Sequence, residues 1–151
     1  KLRFNKLECE EAILVKQINV VGAAILNDDN QILASKRNDD RILGTLWEFP
    51  GGKINMGETP EEALKRELLE EFNDEIKVGH QASSTSIYHY DFGEVHLTVY
   101  FARLMTHHFN LVAHSKLEWC DQKELLKLNW ANADLPIAKY ISSMDLKKVQ
   151  I

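Results

Sequence analysis

A glycine pair leading into a capped, carboxylate-rich helix limits this chain more than anything else in it. Gly51 and Gly52 follow Pro50, and Thr59-Pro60-Glu61-Glu62 then opens a helical pattern. Thr59 is an expected N-cap, Pro60 suits the first helical position, and Glu62 completes a capping box. Leu64, Leu68 and Phe72 recur at i, i+4 and i+8, which predicts a helix from Pro60 to about Phe72 with one buried stripe. Asn73 tolerates a left-handed backbone and is the expected C-cap. Glu67, Glu70 and Glu71 then fall on the flank of that stripe, neither in the core nor fully out, with Glu58 upstream. Carboxylates gathered beside a glycine loop repel one another unless cations sit among them. That is the chemistry of magnesium-assisted cleavage of a phosphate bond.

The rest of the chain reads as strands with few helices. Ile18–Leu26 is a β-rich run, Asn27-Asp28-Asp29-Asn30 is a turn, and Gln31–Arg37 is the return strand of a hairpin. A polar loop from Asn38 to Thr45 leads to a short strand, Leu46–Phe49, stopped by the proline and glycines. Ile76–Val78, Ala82–Tyr90 and Val95–Leu104 read as further strands, with Asp91–Glu94 as a hairpin turn. Leu117–Cys120 is a short strand, Asp121 caps a helical turn through Leu126, and Ala133-Asp134-Leu135-Pro136 opens a last helix to about Met144. In that helix Ile137, Tyr140 and Ile141 share a face. The order predicts an α/β fold, a mixed β-sheet between helices in an α/β/α sandwich.

At 151 residues the chain fits one domain, expected over 18–151 behind an N-terminal arm or appended element, 1–17. The net charge of −5 argues against a nucleic-acid polymer as partner, since such binders carry a basic stripe. A small polyanion remains open, because a metal supplies the missing positive charge. Cys9 and Cys120 fit no metal or redox spacing and read as reduced thiols of a cytoplasmic protein. No apolar run approaches the ~20 residues of a membrane span, and no secretion signal is expected. A monomer or homodimer is expected. The histidines, His107-His108, His89 and His96 among them, show no ligand spacing.

Gly52, Glu58 and Arg66-Glu67-Leu68-Leu69-Glu70-Glu71 stand at fixed spacings that ordinary residue usage produces with a chance of about 10⁻⁶ in a chain of this size. The pattern resembles the box of the Nudix hydrolases, G-x5-E-x7-R-E-U-x-E-E-x-G-U. The match is complete from Gly52 to Glu71 and breaks at Asn73, where the box has glycine, and at Asp74, where it has an aliphatic residue. Neither departure removes a carboxylate. The run Leu46–Lys53, the Glu118-Trp119 strand and the Ala133–Pro136 helix start are similar to the MutT-like branch of nucleoside triphosphate pyrophosphohydrolases. The resemblance covers roughly residues 18–143.

The resemblance implies Mg²⁺, with Mn²⁺ as a substitute, held by Glu67, Glu70, Glu71 and the Gly51 carbonyl. It implies attack of water on phosphorus, giving nucleoside monophosphate and pyrophosphate. Glu67 is the implied base, with Glu118 as rival and as a further metal ligand. Arg66 is expected to orient the cluster through Glu62 or Glu70, and Lys53 to meet a phosphate as a point charge. Arg37 aligns with a phosphate-contacting arginine. For the base, strand alternation aims only one of Glu48 and Phe49 at the pocket, and Asn132 and Asp134 are both available to read its edge. Trp130 reads as packing.

The expected substrate is a nucleoside triphosphate: 8-oxo-dGTP or dGTP, or CTP and dCTP, with a tilt toward a pyrimidine-accepting or dual member in nucleotide-pool sanitation. A nucleoside diphosphate derivative such as ADP-ribose is the enzymatic alternative. A non-catalytic Nudix-fold binding module is the other, and it is disfavoured because all four glutamates are present.

Overall fold

The structure, a computed structural model, describes residues 15–37, 46–106 and 114–151. In chain order its elements are β1 (Gln17–Ile25), β2 (Ile32–Arg37), β3 (Trp47–Glu48), β4 (Gly51–Lys53), α1 (Pro60–Phe72), β5 (Ile76–Gln81), β6 (Ser86–Tyr90), β7 (Gly93–Leu104), β8 (His114–Cys120) and α2 (Leu135–Ser143). Short 3₁₀ turns cover Gln122–Lys127 and Leu146–Lys148.

Among the described residues two sheets form where one was expected. In the larger, β1 runs parallel to β7 from Gln17↔Glu94 to Ile25↔Ala102 and antiparallel to the edge strand β4. β5 and β6 share the far side of β7, β5 along its C-terminal half and β6 along its N-terminal half. The smaller sheet orders β3-β2-β8. The turn after β1 forms as expected: Asn27 Oδ1 accepts from the N–H groups of Asp29 and Gln31, and Asn30 takes φ 56°. Beyond the single bridge Leu26↔Ile32 the two strands part into different sheets, so the expected hairpin exists only at its base.

The carboxylate-bearing helix is present to the residue. Thr59 and Glu62 exchange the two hydrogen bonds of a capping box, and Asn73 closes the helix at φ 52°, its N–H donating to Leu69 O. Leu64, Leu68 and Phe72 are fully buried against Val21, Ala23 and Ile25 of β1, each contributing roughly 1.5–3 kcal/mol. Asp74 is buried and accepts from Thr106 N, so the core-facing strand begins at Ile76 as the departure from the box suggested.

The opposite face carries a second core of Val95, Leu97, Val99 and Phe101 with Ile137, Ala138 and Ile141 of α2. Tyr140 is exposed, because a 100° step per residue places it beside the buried wedge rather than in it. The strand expected over Ala82–Tyr90 breaks, since Ala82 N bonds Val99 O and the chain reaches β7 again only at Ser86. Gly93 and Glu94, expected in the turn, already belong to β7. Asp121 precedes the 3₁₀ turn without a side-chain cap. Cys120 is buried, which pushes its thiol up to about 11, while Cys9 lies outside the described residues.

Candidate active site

The expected glycine loop is a strand. Gly51 and Gly52 pair with Gly22 and Val21 because a β-carbon on Gly51 would stand 2.0 Å from Val21 O. Pleating then sends successive residues of β4 to opposite faces. Lys53, opposite Val20, faces the α2 side, and Gly52, opposite Val21, faces α1. Glu67 lies over Gly52 so closely that a β-carbon there would come within 2.5 Å of both its carboxylate oxygens.

Arg66 holds this corner together. Its Nε and Nη2 donate to the two oxygens of Glu58 at 2.7 and 2.9 Å, Nη1 donates to Glu67 Oε1 at 2.9 Å, and Nη2 also meets Lys53 O at 3.0 Å. Glu70 Oε2 lies 3.6 Å from Nη1. The expected partner Glu62 is absent from this set because its carboxylate is engaged in the capping box. Glu58 Oε1 also accepts from Asn55 N at 2.8 Å, which closes the loop before α1. Hydrogen bonds from Arg66, and then from Asn55 N, hold the Glu58 carboxyl below its usual range, and the bonds to the carboxylates hold the guanidinium charged.

The glutamates of α1 do not share one environment. Glu67 is partly buried, Glu70 is 61% exposed at its side chain, and Glu71 is buried at 5%, so the flank position expected for all three holds for Glu67 and not for Glu71. Relative to Glu67, Glu71 lies about 40° round the helix toward the stripe of Leu64, Leu68 and Phe72, and Glu70 about 60° the other way, toward solvent. Among the described residues no three His, Cys, Asp or Glu side chains form a ready-made metal cage. Mg²⁺ does not need one, since it keeps waters and binds through one or two carboxylates plus substrate phosphates. Oxygens of Glu67 and Glu70 converging on one guanidinium nitrogen fit that open, hard-oxygen site.

On the other face of β4 lies a cleft of about 400 Å³. Its floor is apolar: Ile18 and Val20 of β1, Val95 and Leu97 of β7. Glu48, Phe49 and Lys53 border one side, Tyr90 and Phe92 the other, and Asp134 with Ala133 the inner end. Both Glu48 and Phe49 reach it, because β3 spans only two residues before the chain turns at Pro50. Phe49 stacks on Trp130 with centroids 4.7 Å apart, and Trp130 Nε1 donates to Leu125 O, so Trp130 is packing as expected.

Asp134 stands before α2 without capping it: its backbone is helical, and Oδ1 accepts instead from Phe49 N at 3.2 Å. Burial, then the nearby Glu48, pushes its carboxyl well above the usual range, while the Phe49 N–H opposes them. Asn132 is exposed and outside the cleft lining. Glu118 is exposed on β8 opposite Ala34, in the other sheet, and is not among the cleft residues. Arg37 ends β2, and its side chain lies outside the described part, as do His107, His108 and the 38–45 loop.

Sequence reasoning gave no role to Tyr90, at the end of an expected strand, or to Phe92, in the expected 91–94 turn, although both line the far wall of the cleft. The alternation Tyr88, Tyr90, Phe92 was the available signal, two aromatics on β6 and a third in the turn that follows it.

The NUDIX domain family model matches residues 16–141. A CTP pyrophosphohydrolase of Escherichia coli (strain K12) is 35% identical over 129 residues, 82% of this chain and 90% of that protein. An 8-oxo-dGTP diphosphatase of the same strain is 38% identical over 90 residues, 58% of this chain and 65% of that protein. The solution NMR structure of MutT (Family Nudix Hydrolase) from methicillin-resistant Staphylococcus aureus 252 superposes with a TM-score of 0.71 at 43% identity, covering 86% of this chain and 98% of that one.

Proposed function

The chain belongs to the NUDIX family and is a hydrolase of nucleotide pyrophosphate bonds, and from that premise we propose that it cleaves a nucleoside triphosphate, with Mg²⁺, to monophosphate and pyrophosphate. The observation that carries the reading is the division of labour across β4. An apolar cleft of nucleobase size lies on one face of this edge strand and paired carboxylates on the other. A base seated in the cleft sends its phosphates past Lys53 and around the strand edge toward Glu67 and Glu70. The bound cation supplies neutralisation of charge on the phosphates.

Within that reading Glu67 is the general base. Gly52 lets its carboxylate lie flat at the strand edge, and Arg66 fixes its Oε1. Glu118 sits in the other sheet and gives up that role. Arg66 has its donors committed to Glu58, Glu67 and Lys53 O, so it positions carboxylates rather than touching phosphate. Lys53 is exposed at the end of β4 and meets phosphate as a point charge. Asp134 and Glu48 face the base edge; the relatives named for CTP and for 8-oxo-dGTP make these the first substrates to test, in a cytoplasmic nucleotide pool.

The test is a panel of 8-oxo-dGTP, dGTP, CTP, dCTP, 5-methyl-dCTP and ADP-ribose with Mg²⁺, read by product. Monophosphate plus pyrophosphate is expected from at least one triphosphate. Orthophosphate with a diphosphate would refute the bond assigned, and undiminished turnover in EDTA would refute the metal.

A further inference from the structure

We propose that a notch at the β1–β4 edge is where the phosphate tail of the nucleotide crosses the sheet, and that Lys16 is the second cation, with Lys53, that holds it there. The inference rests on the nucleotide reading of the preceding subsection. A cavity of about 190 Å³ lies at this edge, lined by Lys16, Gln17, Ile18, Asn19, Lys53 and Ile54. Successive residues of extended chain point to opposite faces, so a cavity lined by four in a row wraps the strand edge rather than sitting on one face. Lys16, Ile18 and Lys53 also line the base cleft, while Ile54 packs against the core beneath α1. The notch therefore joins the cleft face of the sheet to the face that carries Glu67.

The backbone opens the notch and fixes its walls. β4 pairs with β1 from Gly22 to Val20, and the bond from Ile54 N to Asn19 O carries the pairing one residue further. On its other side β1 is held by β7 from Gln17 onward, and Glu94 N donates to Lys16 O, so the Lys16 backbone is anchored. Lys16 alternates onto the cleft face with Ile18 and Val20, and Lys53, opposite Val20, joins them there. The two α-carbons are then about 14 Å apart, and flexible lysine stems at that spacing reach a common anion between them. Neither ammonium has an ion-pair partner among the described residues, whereas Lys65 pairs with Glu61 and Arg66 with Glu58. Glu94, opposite Gln17, lies on the other face and meets His96 Nε2 at 2.7 Å, so it does not neutralise Lys16. Gln17 Nε2 donates to Asn19 Oδ1 at 3.1 Å, which occupies the Asn19 oxygen and leaves its amide nitrogen to donate to a ligand. Two point charges and an amide donor around one small polar notch make an anion site on the route from the base cleft to Glu67.

The experiment is steady-state hydrolysis of the best panel substrate at fixed free Mg²⁺ by wild type, Lys16→Ala and Lys16→Arg, with Lys77→Ala, exposed on β5, as a control for net charge. Inorganic tripolyphosphate is the competitor, since it has phosphates and no base. Lys16→Ala is expected to raise KM and the tripolyphosphate inhibition constant together, each roughly tenfold, the loss of one charged hydrogen bond, with kcat within about threefold. Lys16→Arg keeps the charge and is expected to recover most of both losses, and Lys77→Ala to leave both constants unmoved. A tripolyphosphate constant less than about threefold above wild type in Lys16→Ala would overturn the proposal. So would an equal rise in Lys77→Ala, no recovery in Lys16→Arg, or a wild type that tripolyphosphate does not inhibit. If wild type turns over no triphosphate, the proposed function fails on its own. Equilibrium binding of tripolyphosphate then decides the notch: weaker binding to Lys16→Ala sustains it, and equal binding, or none to either protein, overturns it.

Discussion

Gly52 and Glu67 occupy one another's space: a β-carbon on Gly52 would stand 2.3 Å from the carboxyl carbon of Glu67. The box glycine is therefore a vacancy shaped for a carboxylate rather than a hinge. Gly52→Ala is expected to push Glu67 aside and lower kcat on the order of 10²-fold, the cost of misplacing a reacting group by about an ångström. The displaced atoms end a flexible side chain, so Tm should stay within about 3 °C. A large loss of Tm with normal activity in the folded fraction would reject this role for the glycine.

Glu67→Gln is expected to reduce kcat roughly 10²- to 10⁴-fold, the usual contribution of a general base. Glu70→Gln is expected to raise the Mg²⁺ concentration for half-maximal rate, by no less than the roughly 10- to 100-fold that an outer-shell partner commands. Mg²⁺ titration of both variants separates the roles, and an unmoved Mg²⁺ requirement in Glu70→Gln would remove it from the ligand set.

The Glu58–Arg66 pair positions the loop before α1 through two hydrogen bonds of 2.7 and 2.9 Å. Glu58→Ala and Arg66→Ala are each expected to lower kcat/KM roughly 10- to 100-fold, and the double variant no further than the worse single, since both remove one interaction. The folded Glu58 carboxyl sits below its ordinary 4.5, so the unfolded chain takes up the proton first as pH falls. The stability from this pair is complete above about pH 4.5 and is lost as pH falls through the lower folded value. Acid unfolding of Arg66→Ala should show less of that loss.

Asp134 has the opposite sign. Its folded carboxyl titrates well above its ordinary 3.8, so between those values the unfolded chain has released a proton that the folded chain keeps. Its contribution is full below pH 3.8 and lost as pH rises toward the folded value. Asp134→Asn, which keeps an oxygen for Phe49 N, is expected to flatten the dependence of Tm on pH and raise Tm at pH 8 by about 3 °C or more, the effect of 1 kcal/mol in a domain of this size. A Tm profile unchanged in slope would mean that Asp134 ionises freely.

Phe49→Ala empties a buried site against Trp130, where both rings are 4% exposed. A loss of about 3–5 kcal/mol is expected, seen as a fall in Tm of roughly 6–20 °C. A mild loss of stability with a large rise in KM would make Phe49 a substrate contact instead of a packing residue.

The α1 boundaries were legible in the amino-acid sequence because capping is local: Thr59, Pro60, Glu62 and Asn73 act on backbone within one turn of themselves. The strand runs were legible for a similar reason, since burial on one face imposes a short period. Sheet membership was not. Asn27–Asn30 specifies a reversal of the chain, but whether β1 and β2 then pair depends on what else competes for their edges. β4 and β7 took both edges of β1, and β8 took β2.

The sequence by itself determined the family chemistry, because residue identity and spacing specify which groups are present: glutamates of α1, Arg66 beside them, and Gly52 upstream. Only the tertiary structure decided where each one stands. It placed Gly52 and Lys53 on opposite faces of an edge strand, turned Glu71 inward and left Glu67 and Glu70 around one guanidinium. It set Asp134 in the cleft lining and left Asn132 outside it, and it brought Tyr90, the end of an expected strand, and Phe92, in the expected turn, to the cleft wall. Those outcomes rest on contacts between residues far apart in the chain, which no local pattern encodes.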